Sequence, residues 1–145
     1  MSSPDLLLGN QLCFLVYRLD RAIGSVYRPL LSAIGLTYPQ YLAMLVMWER
    51  GSVGIGELCA LLDLETGTVS PLMKRLESLG LVTRERDPGD ERSVRARLTD
   101  KGRRLERKAA SIPGNVASCL LGGKGEYASI RSFLEGLIQR VERST

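Results

Sequence analysis

Residues 65–99 read ETGTVSPLMKRLESLGLVTRERDPGDERSVRARLT, and this stretch decides the architecture. Its second half alternates. Val94, Ala96 and Leu98 fall on one side of an extended segment and Ser93, Arg95 and Arg97 on the other, the period-two pattern of a half-buried strand. Leu81 to Arg86 supplies the partner strand. Between them, Asp87-Pro88-Gly89-Asp90 sets a residue of fixed φ beside one that tolerates positive φ, which predicts a hairpin tip. The first half has a helical period instead: from about Thr66 to Leu79, Val69, Leu72, Met73, Leu76 and Leu79 line one face, and Gly80 closes the helix.

Opposite that apolar stripe lie Gly67, Ser70, Pro71 and Lys74, flanked by Thr66, Thr68 and Arg75. Small residues let a helix approach base edges closely, while hydroxyls and cations supply donors to bases and phosphates. Pro71 removes one intrahelical donor. A helix of this kind running straight into a hairpin that carries Arg84, Arg86, Asp90 and Arg92 is a winged helix-turn-helix, so the expected fold is mainly α with a small β-hairpin wing. Arg92, just past the tip, is expected to reach a narrow minor groove, and Lys74 and Arg84 to meet phosphates.

An ordinary solvated hairpin is the competing reading, and the charge distribution argues against it. Residues 81–108 hold ten Lys or Arg against six Asp or Glu, whereas the remainder is balanced at ten of each. The whole net charge of +4 therefore sits in the wing and the start of the following helix, where double-stranded DNA would use it.

Outside this stretch, 145 residues with 44% apolar and 25% charged side chains describe one soluble globular chain. The short Leu6-Leu7-Leu8 run has no basic flank, so no secretory signal is expected and the location follows as cytoplasmic, with no membrane partner. The chain has no histidine, which removes the usual general base, the Ser-His-Asp arrangement and the commonest metal ligand. Cys13, Cys59 and Cys119 are too scattered for a CxxC site, so neither a metal nor another cofactor nor enzymatic activity is expected.

Further helices are predicted from Asp5 to roughly Ala33 (Leu12, Leu15, Leu19, Ala22, Ile23, Val26 and Leu30 at helical spacing), from Thr37 with Gln40 completing a capping box over Leu42, Leu45 and Val46, and from Ile55 to Leu62. The last helix carries Ile130, Phe133, Leu134, Leu137, Ile138 and Val141, a stripe that a small winged domain has no room to bury. It predicts a homodimer whose recognition helices stand about 34 Å apart on a pseudo-palindromic operator. Residues 1–36 and 100–145 are then dimerisation helices of a single chain, 1–145, and residues 37–99 form its DNA-binding winged helix.

The succession LCFLVYRLDRAIGSVYRPLL, GLTYPQYLAMLVMWE and GELCALLDLETGTVSPLMKRLESLGLVTRERDPGDERSVRARLTDKG resembles the MarR family of bacterial winged-helix regulators, and within it the organic hydroperoxide sensors of the OhrR type. Asp90 and Arg92 match the family's wing motif, and Cys13, Tyr27 and Tyr38 match the peroxide-sensing branch. Glu65 departs from the Asp common before the recognition helix, which bears on operator choice. The resemblance implies a transcriptional repressor in which Cys13 reacts with organic hydroperoxide.

Cys13 and Tyr27, fourteen residues apart on one helix, are separated by about 21 Å along its axis and cannot touch within a subunit. The resemblance implies that they meet across a dimer, with Tyr27 and Tyr38 donating hydrogen bonds to the sulfur and favouring thiolate. Burial as a small apolar residue is the ordinary fate of a free cysteine, and it describes Cys59 best. Cys119, near a helix end before Leu120-Leu121-Gly122-Gly123, is the candidate resolving thiol. Two alternatives remain open: a regulator of the same fold released by a phenolic or aromatic ligand, and a thiol peroxidase using Cys13, for which the alternating strands of such enzymes are missing.

Overall fold

The computed structural model describes every residue except Ser2, and of Glu91 the backbone alone. The chain divides into two compact units, residues 1–110 and 111–145. In the first lie α1 (Leu12–Ser32), α2 (Tyr38–Arg50), β1 (Ser52–Gly54), α3 (Ile55–Leu62), α4 (Thr66–Ser78), β2 (Val82–Asp87), β3 (Asp90–Leu98) and α5 (Asp100–Ala109).

The first helix begins at Leu12, not at Asp5. Ahead of it, Pro4–Leu6 and Leu8–Asn10 form two short 3-10 turns. The amide of Asn10 donates to the Pro4 carbonyl at 2.7 Å, and that of Gln11 to the carbonyls of Asp5 and Leu7 at 2.6 and 3.0 Å. These side chains take acceptors that a continuous helix would give to its own backbone, and Gly9 adds its poor helix propensity. At α2 the capping box forms as the sequence predicts: Gln40 N–H donates to Thr37 Oγ1 and Thr37 N–H to Gln40 Oε1. The helix is rotated from the predicted face, however. Tyr41, Ala43, Met44 and Met47 are buried while Leu45 is exposed, and Trp48 Nε1 donates to the Gly102 carbonyl at 2.9 Å.

The hairpin belongs to a three-stranded antiparallel sheet in the order β1-β3-β2. The unforeseen strand, β1, pairs Val53 with Ala96 in the last part of β3, and both are fully buried. Three residues are too few to show an alternating pattern in sequence. At the tip, Gly89 does not use positive φ; the Asp87 carboxylate instead accepts the Gly89 N–H at 2.9 Å. Of the predicted inward trio, Ala96 is buried and Leu98 half-buried, but Val94 lies out in the wing and is exposed.

α3 occupies the predicted range, with Leu58 buried and Leu61 exposed. α4 buries Val69, Met73 and Leu76 against the remaining core. Gly80 ends it with φ 76°, a left-handed conformation natural to glycine. Thr99 caps α5 by accepting the Gly102 N–H at 3.0 Å and donates to the Gly80 carbonyl at 2.6 Å. Gly102 itself is required by close packing: a Cβ there would stand 2.3 Å from the Leu81 carbonyl oxygen.

The second unit contains α6 (Ile112–Leu120) and α7 (Glu126–Glu142). Ile112 and Val116 are buried, while Ile130, Phe133, Leu134, Ile138 and Val141 of α7 are exposed. Among the described residues, no helix is long and apolar enough to cross a membrane.

Candidate nucleic-acid interface and thiol site

α4 presents Thr66, Thr68, Lys74 and Arg75 to solvent, with Ser70 half-buried. Glu65 precedes it and makes no side-chain cap, so the first N–H groups of the helix are left for other acceptors. A groove of about 450 Å³ separates the start of α3 and α4 from the wing, and its walls include Thr66, Ser70, Arg84, Asp87 and Arg92. Glu57, also in its wall, is neutralised by an ion pair with Arg50.

The wing cations differ in their commitments. Arg92 is exposed, and its guanidinium has no carboxylate partner among the described residues. Asp90 organises the strand around it, accepting the Arg92 N–H at 3.0 Å and the Ser93 hydroxyl at 3.1 Å. Arg86 is exposed on β2. Arg84 is half-buried and held by Glu77 of α4 through its backbone N–H at 2.9 Å and two guanidinium contacts at 3.3 and 3.2 Å. These bonds, backbone first, hold the Glu77 carboxyl below the ordinary carboxylate range. Sequence reasoning missed Glu77, because a pair formed across a helix-to-strand turn follows no helical or strand spacing.

The structure brings Tyr27 and Tyr38 together, with ring centroids 4.8 Å apart, and Tyr41 closes the cluster at 5.9 and 6.4 Å. Burial pushes all three phenols above their usual range; the neighbouring phenols add to the shift at Tyr27, and the Asp20 carboxylate at Tyr38. They therefore stay protonated at neutral pH and are available as donors. Cys13 is exposed near the other end of α1, where Leu12, Leu15, Val16 and Leu19 are each 46% to 68% exposed. An open concavity of about 1050 Å³ runs along α1 from Leu15 to Tyr27 and Tyr38. Cys119 lies exposed on α6 in the second unit. Cys59 is only partly buried, and its sulfur stands 3.8 Å from the Thr66 hydroxyl at the start of α4, a neighbour that packing alone does not foretell.

Comparison with known proteins places the chain in a family. The family model described as "Transcriptional regulator SarA/Rot" matches residues 25–108. The chain is 39% identical over 136 residues to the organic hydroperoxide resistance transcriptional regulator of Bacillus subtilis, covering 94% of this chain and 92% of that protein. It is similar to AbfR of Staphylococcus epidermidis. Against reduced AbfR bound to DNA the TM-score is 0.83 at 34% identity, covering 99% of this chain and 98% of that one. Against disulfide-formed AbfR it is 0.65 at 34% identity, covering 94% and 90%. With matches of this length and identity on a winged-helix frame, the chain belongs to the MarR family of transcriptional regulators.

Proposed function

We propose that the protein is a homodimeric DNA-binding repressor that leaves its operator when an organic hydroperoxide oxidises Cys13. In this reading α4 enters a major groove with Thr66, Thr68, Ser70, Lys74 and Arg75, while Arg86, Asp90 and Arg92 bring the wing to the backbone and the adjacent minor groove. The observation that carries the sensing step is the pair of protonated phenols, Tyr27 and Tyr38, separated along α1 from an exposed Cys13 by an apolar face that one chain leaves open. A second copy crossing along that face sets Cys13 of one chain beside the phenols of the other. Two donors at the sulfur then favour thiolate.

The thiolate attacks the outer peroxide oxygen, the O–O bond breaks, and the leaving alkoxide takes up a proton as an alcohol, so that sulfur is oxidised to sulfenic acid. Condensation with the Cys119 thiol of the partner subunit forms the S–S bond and releases water. That bond needs Cα atoms within about 7 Å, and the movement it enforces spoils the spacing of the two recognition helices. The relatedness to a hydroperoxide resistance regulator supports this reading, as does a relative known in reduced DNA-bound and disulfide-formed states. The tyrosine-lined concavity favours a second reading, release by an aromatic ligand.

A gel shift on DNA flanking the chain's own gene tests both. Wild type is expected to release the DNA on addition of organic hydroperoxide and to run as a covalent dimer without reductant. Cys13→Ser is expected to keep binding and ignore the oxidant, and Cys119→Ser to give no covalent dimer. Release of Cys13→Ser by peroxide moves the reactive thiol elsewhere, to Cys59 first; release by a salicylate-like compound alone selects the ligand reading.

A further inference from the structure

The ion pair between α4 and β2 does more than decorate the surface. β2 is an edge strand of the sheet, and the Arg84 N–H bonds not to β3 but to Glu77. The same carboxylate takes Nε and Nη2 of Arg84 on its other oxygen. One side chain on the last turn of the recognition helix thus grips a wing strand by main chain and side chain at once. Below this grip lies the tight turn at Gly80, where Leu81 N–H reaches the Leu76 carbonyl, Thr99 Oγ1 donates to the Gly80 carbonyl and Lys101 Nζ to the Leu79 carbonyl, with Leu81 and Val82 buried beside them. Above it opens the groove whose walls carry Thr66 and Ser70 on one side and Arg92 on the other. The groove lies between α4 and the wing, and the Glu77 grip spans those two elements beside Arg84, which also lines it.

We infer that Glu77 is a positioning residue for DNA reading: by holding Arg84, it sets the wing against α4 so that the helix and Arg92 meet neighbouring grooves of one duplex together. The inference rests on the reading of α4 and the wing as the DNA-contacting elements. It also reassigns Arg84, whose guanidinium serves the protein and not a phosphate.

The two roles for Arg84 predict opposite signs. If Arg84 were a phosphate ligand restrained by Glu77, Glu77→Gln would free a cation and remove a nearby negative charge, tightening binding to any DNA. If Glu77 positions the wing, the same change loosens the grip and lowers the preference for the right sequence. The probes are a duplex that wild type enriches from a random-sequence library and a scrambled duplex of equal length. Glu77→Gln keeps the volume and an acceptor for the Arg84 N–H, which guards against simple unfolding. Thermal melting of Glu77→Gln and Glu77→Ala sets an assay temperature at which both are folded.

The expected result is a graded fall in the ratio of enriched to scrambled affinity, largest for Glu77→Ala at about tenfold, comparable to one wrong base pair. Scrambled-DNA affinity is expected not to fall. Arg84→Ala is expected to lower the same ratio while leaving the slope of log affinity against log salt unchanged. Three outcomes would each overturn the inference: a wild-type ratio in both Glu77 variants, tighter binding of both duplexes by Glu77→Gln, or a salt slope smaller by about 0.9 in Arg84→Ala, the change that one phosphate no longer neutralised would produce. Failure of wild type to enrich any duplex would instead strike at the DNA reading itself.

Discussion

α1 and α4 are both amphipathic helices of the first unit, and they end in opposite states. Val69, Met73 and Leu76 of α4 are fully buried and Leu72 is partly so, whereas Leu12, Leu15, Val16 and Leu19 of α1 stand in solvent. α4 finds its cover within about forty residues of itself, in α2, α3 and the sheet. The first half of α1 finds none among the described residues of its own unit. Four large apolar side chains on one helix face, at a cost of roughly 25 cal/mol per Å² left in water, describe a surface awaiting a partner. The winged part buries its apolar faces within one chain; the face of α1 that runs from near Cys13 towards Tyr27 and Tyr38 does not.

The difference can be broken most sharply at the open face. Leu15→Asp combined with Leu19→Asp is expected to leave the winged core folded, since neither side chain is buried in one chain. It should prevent dimerisation and weaken operator binding by about a thousandfold, because two linked half-site contacts become one. Sedimentation velocity and titration of a labelled duplex check both parts; a variant that remains dimeric would remove α1 from the interface.

The self-contained side breaks at Gly102. Gly102→Ala puts a methyl group against a backbone oxygen that cannot move without disturbing β2 and α5, and is expected to destabilise the winged core by about 3 kcal/mol. Chemical denaturation measures it. The loss should be the same in the Leu15/Leu19 double variant if the two regions are as independent as their burial indicates.

The smallest expected effect sharpens the comparison within the winged part. Arg92→Ala removes a guanidinium with no carboxylate partner among the described residues, so stability should hold while operator binding weakens by about 2 kcal/mol. Parallel melting curves and duplex titrations separate the two. A fall in stability of the same size would make Arg92 part of the fold and not of the interface.

Much of the winged part is legible in the chain itself. The bounds of α3 and α4, the Thr37/Gln40 capping box and the glycine at the end of α4 follow from local rules that act within a few residues. The hairpin is legible as well, although Val94 of the alternating trio lies exposed and the tip is held by the Asp87 carboxylate without positive φ at Gly89. The start of α1 is not legible in this way, because apolar spacing continues through Leu6 to Leu8 while side-chain amides of Asn10 and Gln11 redirect the backbone. The buried face of α2 lies one step around the helix from the expected one. Leu42, Leu45 and Val46 satisfy helical spacing as well as Tyr41, Met44 and Met47 do, and only the neighbours choose between them.

The winged-helix architecture, the basic wing and the residue types available for thiol chemistry can be read from the chain alone, because periodicity, turn chemistry and charge are properties of short segments. It took the folded chain to reveal that Tyr27, Tyr38 and Tyr41 form one cluster, that β1 completes the sheet, that Cys59 neighbours the start of α4, and that Arg84 is held by Glu77. Each of these joins segments through a turn or a crossing whose geometry is set by what the core can pack, and packing is a property of the whole assembly of side chains rather than of any window of sequence.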